Sequence, residues 1–67
     1  MEREQTMILT HREREIMRLI SDGLSPKEIA AHLHISSHTV KDHMKNVNRK
    51  LHARNGKHAV ALFLESR

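Results

Sequence analysis

Between Ser25 and Leu51 the chain reads SPKEIAAHLHISSHTVKDHMKNVNRKL: a capped helix start, a turn of three residues, and a second, longer helical period. Ser25 offers a hydroxyl to a free backbone N–H, Pro26 is preset for a first helical position, and Glu28 can reach back to close a capping box. A helix is therefore predicted from Pro26 to Leu33, with Ile29, Ala30 and Leu33 facing inward and Leu24 stapled onto Ile29. His34-Ile35-Ser36 makes the turn, and His34, just past the helix end, falls where a positive φ is usual. Ser36 or Ser37 caps the next helix, which runs to about His52.

That longer helix has two unlike faces. Val40, Met44, Val47 and Leu51 recur at steps of four, three and four, the stripe a core would take. At about 100° per residue, His38, Asp42, Lys45, Asn46 and Arg49 lie opposite, with Lys41 on the shoulder. Taken alone this is an ordinary solvated face. Preceded by a short capped helix and a tight turn, it has the form of a helix that enters the major groove of DNA, with donors, acceptors and cations and no bulky apolar groups.

On either side the same reasoning finds a first and a fourth helix. Thr10 and Glu13 form a second capping box, Ile16, Leu19 and Ile20 recur at helical spacing, and Gly23 supplies a left-handed stop, so the first helix spans about Thr10 to Asp22. Met17 and Met44 are expected in the core. The Arg12-Glu13-Arg14-Glu15 run is expected on a solvated face, with Glu15 and Arg18 as a helical pair. After a polar break at Ala53-Arg54-Asn55-Gly56, a fourth helix runs from about Lys57 to Glu65. Val60, Phe63 and Leu64 make one apolar surface, and Ala59 and Leu62 carry apolar character around most of its circumference, more than one small core can cover. The surplus points to the same helix in a second copy.

Composition narrows the classes. At 67 residues the chain holds a small helical core but not a roomy, water-excluding active site, and nothing in it resembles a nucleophile, an acid–base pair or a phosphate-cradling glycine loop. An enzyme is not expected, nor a cofactor. With no cysteine, neither disulfides nor thiolate metal sites hold the fold. Seven histidines include His32, His34 and His38, but the turn separates them and no carboxylate completes a set, so no metal site is expected. Twelve Lys and Arg against eight Asp and Glu give +4 and a pI near 10.1, favouring a polyanion. One Phe, with no Trp or Tyr, argues against base-stacking modules for single strands or RNA. The longest apolar run, Ala59 to Leu64, is six residues, and the charged start at Met1-Glu2-Arg3-Glu4-Gln5 lacks a signal-peptide core, so no membrane is expected and the cytoplasm is the default location. Residues 1–8 are expected to be a flexible tail or linker remnant.

LTHREREIMRLISDGLSPKEIAAHLHISSHTVKDHMKNVNRKLHARNGKHAV resembles the LuxR-type (NarL/FixJ-type) DNA-binding domain of bacterial transcription regulators, over about Leu9 to Leu64. Several separated pieces carry the likeness: the Leu-Thr-x-Arg-Glu opening, Gly23, Glu28-Ile29-Ala30, Ile35-Ser36, Thr39-Val40-Lys41, His43 and Lys50-Leu51. The resemblance implies an all-α, four-helix domain over residues 9–67, winged-helix-like without a wing, with its helix-turn-helix at about 26–45. It implies a recognition helix, about 37–52, in the major groove, and a fourth helix that forms the homodimer, with Ala59, Leu62 and Phe63 as the expected interface. Carried over by position, Lys41, Asp42 and Lys45 face base edges, and His38 is added to them here. Lys27, Ser37, Thr39, Asn46 and Arg49 lie near phosphates, to which Ser25 is added; His43 serves packing and a backbone phosphate. The expected partners are pseudo-palindromic promoter DNA in the bacterial nucleoid, a second copy, and RNA polymerase. In such regulators a receiver or ligand-binding domain often precedes this module, and control would lie there.

Three positions depart from the family pattern. His34 stands where Gly is usual in the turn. Gly56 and His58 replace a common Arg and Glu, removing the acidic residue that would complete a capping box behind Asn55. Asp42 sets a negative charge near phosphates, useful only if it accepts from a cytosine amino group or holds Lys45 or His38 in place. Two rivals compete with the regulator reading: a promoter-binding module like region four of a sigma factor, and a helical protein-interaction domain that binds no DNA.

Overall fold

The structure, a computed structural model, describes residues 8–66, so the expected tail lies outside them apart from Ile8. Four helices follow one another: α1 His11–Ser21, α2 Pro26–Leu33, α3 Ser37–Leu51 and α4 Gly56–Ser66, with no strand among the described residues. The fold is all-α, as the sequence implies.

All four starts are capped alike. Thr10, Ser25, Ser36 and Asn55 each accept the backbone N–H three residues on, at 3.1, 3.3, 3.0 and 2.9 Å. Each such cap contributes about 1 kcal/mol. Glu13 and Glu28 complete boxes at the first two by accepting the Thr10 and Ser25 N–H groups at 2.9 and 2.8 Å. At α4 no carboxylate closes a box behind Asn55; instead His58 Nδ1 accepts the Arg54 N–H at 3.0 Å, one residue outside the cap.

Three helix ends close alike. Gly23, His34 and His52 have φ of 100°, 59° and 56°, and the next residue's N–H returns to Leu19, Ala30 and Asn48 carbonyls at 3.1, 3.0 and 2.8 Å. Leu24, Ile35 and Ala53 then pack on the core, completing the Schellman pattern. α3 accordingly stops at Leu51, one residue before the predicted end, because His52 is itself the left-handed residue.

The core has two parts. Ile16, Ile29, Ala30 and Val40 form one; Leu9, Met17, Val47, Leu51, Ala59 and Phe63 form the other, and Ile20 packs on both. Val40 and Val47 are fully buried, one in each part, so α3 passes between them. Its rotation is fixed: turning Lys41 inward would expose Val40 and forfeit about 1.5–3 kcal/mol of burial. The predicted stripe holds, with Met44 half-buried against the first part.

Three expectations fail here. Glu15 pairs with Arg12 at 3.4 Å, not with Arg18; both arginines stand three residues away, so spacing alone does not decide between them. Glu13 is buried at 3% exposure rather than solvated. Ala59 and Phe63, expected at a dimer interface, are 1% and 7% exposed in the chain's own core, and Leu62 packs partly against it.

Candidate nucleic-acid interface

The burial that fixes α3 leaves its other side to solvent. His38, Lys41, Asp42, Lys45 and Arg49 are all exposed. Lys41, Lys45 and Arg49 recur every fourth residue, which sets three cations in a slowly winding row. Asp42 is the only carboxylate of α3. Its Oδ2 lies 3.4 Å from His38 Nε2, one turn earlier, and not on Lys45. At the far end the Arg49 guanidinium donates to Asn46 Oδ1 at 3.2 Å, which orients the fork.

The flanking residues fall into two groups. Ser25 and Lys27, at the start of α2, are exposed; Ser37, Thr39, His43 and Asn46 on α3 are half-buried. The Ser25 oxygen is occupied by its cap, and the Ser36 and Thr39 hydroxyls share a hydrogen bond of 2.9 Å. Glu28 is held below its usual 4.5 by the Ser25 backbone N–H and then the Ser25 hydroxyl, so it stays ionised at the α2 start.

Behind this face lies a contact that sequence reasoning missed. Lys50 Nζ donates to Glu13 Oε1 at 2.7 Å, across 37 residues, tying the C-terminal end of α3 to the first turn of α1. Burial pushes the Glu13 carboxyl up, but the Lys50 ammonium, the Thr10 N–H and the nearby charge of His43 outweigh it and leave it below 4.5. Lys50 thus serves architecture. Capping chemistry flags Glu13, yet no local signal points to a partner so distant in the chain.

Other chemistry finds little to build on. Among the described residues no three His, Cys, Asp or Glu side chains converge as a metal site requires, and no helix is long and apolar enough to cross a membrane.

The family model for bacterial regulatory proteins of the luxR family matches residues 7–63. The nitrate/nitrite response regulator NarP of Escherichia coli is 42% identical over 66 residues, covering 98% of this chain and 31% of that protein. A nitrate/nitrite response regulator homolog of Haemophilus influenzae is 49% identical over 57 residues, 85% of this chain and 27% of its own length. The transcriptional activator CarR of Pectobacterium carotovorum is 43% identical over 58 residues, 87% and 24% of the two. The chain therefore spans a third or less of these relatives. It belongs to the luxR family of bacterial regulatory proteins.

Proposed function

We propose that this chain binds duplex DNA sequence-specifically, with α3 in the major groove, and regulates transcription as a homodimer. The observation that carries the reading is the exposed row of Lys41, Lys45 and Arg49 on a helix whose rotation Val40 and Val47 fix. Lys41, Lys45 and Asp42 read base edges, with His38 beside Asp42 in the same groove. Lys27, Arg49, Asn46 and the hydroxyls of Ser25, Ser37 and Thr39 hold phosphates, and His43 adds a backbone contact. Phosphate contacts set affinity and its salt dependence, whereas base contacts set preference.

The second copy docks through α4. With Ala59 and Phe63 committed to the core, Ala61 and Leu64, flanked by Val60, offer the exposed apolar strip, and Leu62 contributes its outer edge. A twofold dimer reads two half-sites of a pseudo-palindromic promoter about one helical turn apart. RNA polymerase is the further partner of such a bound regulator in the cytoplasm, and any signal of the response-regulator kind enters outside these helices.

Fluorescence anisotropy with random and selected duplexes across a salt series tests this. The logarithm of affinity should fall linearly with the logarithm of salt. Lys45→Ala should cost about 1–3 kcal/mol and relax preference at one base step. No binding even at low salt would favour a protein-interaction module instead.

A further inference from the structure

We propose that His38 is a positioning residue that makes Asp42 a reader of cytosine. The inference rests on the DNA-binding reading and deepens it, by assigning the chemistry of one base step.

A carboxylate on a groove-facing surface is repelled by the phosphates on both sides. Its presence at a base edge is favourable where the base returns a donor. Cytosine N4 does so without an adjacent acceptor, whereas adenine presents its amino group beside N7, an acceptor that repels a carboxylate, and guanine presents two acceptors. Asp42 is exposed, with 54% of its side chain open to solvent, and makes no ion pair with Lys41 or Lys45 within 4.0 Å. Its contact is His38 Nε2 on Oδ2 at 3.4 Å, leaving Oδ1 for the base.

This contact holds no core together, because the His38 side chain is 85% exposed. Among the described residues α1, α2 and α4, which pack around α3, bring no ion-pair partner within 4.0 Å of either group; Lys41 and Lys45 on α3 itself are the neighbouring charges. Free of structural duty, the pair responds to what approaches it. The imidazole, held against Oδ2, orients the carboxylate before it meets the base, and when it carries a proton it offsets part of the Asp42 charge.

The test uses the whole chain and duplexes selected by it from a random library, remeasured with each base step substituted, at about pH 6 and about pH 8 at constant salt. The wild type should prefer cytosine at one step by about tenfold, more so at the lower pH. Asp42→Ala should abolish that preference while strengthening binding to random duplex. His38→Ala should lose most of the same preference, and His38→Ala with Asp42→Ala should lose no more than Asp42→Ala alone. His38→Gln, whose amide N–H can reach a carboxylate four residues on, should restore the preference without its pH dependence. A preference that survives His38→Ala, or losses that add in the double variant, would overturn the proposal, with unchanged thermal unfolding confirming that the variants fold. Tight duplex binding without an Asp42-dependent cytosine step overturns it alone; no duplex binding at any salt overturns the DNA-binding reading with it.

Discussion

Lys50→Met and Glu13→Gln remove opposite halves of one contact, and their costs should be unequal. The two side chains meet at 2.7 Å, but Glu13 is 4% exposed and Lys50 28%. Without the ammonium, the carboxylate stays buried with the Thr10 N–H as its remaining partner. Because water already reaches Lys50, that loss should cost about 2–3 kcal/mol, at or just below the range for broken buried pairs. Without the carboxylate, Lys50 turns into solvent and the Gln amide oxygen still accepts the Thr10 N–H, so the cost should be about 1 kcal/mol. In a domain of this size about 1 kcal/mol moves Tm by roughly 4–8 °C, so thermal unfolding at neutral pH separates the two variants.

Acid sharpens the distinction. In the wild type the folded-state value of Glu13 lies below 4.5, so its contribution is complete above that value and is lost as pH falls through the lower, folded one. In Lys50→Met, burial is no longer opposed by the ammonium and the folded value rises. The sign then reverses: the penalty is greatest above the raised value and relaxes as acid protonates the carboxyl. The Tm gap between Lys50→Met and wild type should therefore narrow from about pH 7 to about pH 4. Equal costs at neutral pH, a larger cost for Glu13→Gln, or a gap that widens in acid would refute the reasoning.

Gly56→Ala should stabilise the domain by about 0.5–1 kcal/mol, because a Cβ there meets only the flexible tip of Met44 at 3.4 Å; a lower urea midpoint would show that the α3–α4 contact cannot give. His34→Gly should raise Tm, since the residue sits at φ 59° and ψ 42° and relief of left-handed strain is worth about 1 kcal/mol; an unchanged or lower Tm would mean that the strain is absent or offset by chain entropy. Leu64→Lys should weaken self-association in sedimentation equilibrium, and operator affinity with it, at an unchanged Tm; intact dimers would remove α4 from the interface.

Local chemistry was legible in the sequence because its partners are close in the chain. The caps at Thr10, Ser25 and Ser36 and the turns at Gly23 and His34 involve residues within five positions, and each formed where its residue types point. The exposed face of α3 was legible for a related reason: Val40, Met44, Val47 and Leu51 allow one rotation, so the opposite side follows. His52 was harder, since a polar left-handed residue before Ala53 carries no glycine to mark it. Glu13 and Lys50 were beyond reach, although the family motif contains both; two pieces that agree separately along the chain are a single contact in space. α4 failed for the opposite reason. From Ala59 to Leu64 it is apolar without a gap, so several rotations satisfy the same pattern and the sequence does not choose among them. Ala59 and Phe63 turn inward against Leu9, Met17, Val47 and Leu51, a placement set by tertiary packing and not by local pattern. A helix apolar around its circumference thus declares that it will be buried without saying against what, and the dimer surface can only be what the monomer core does not take.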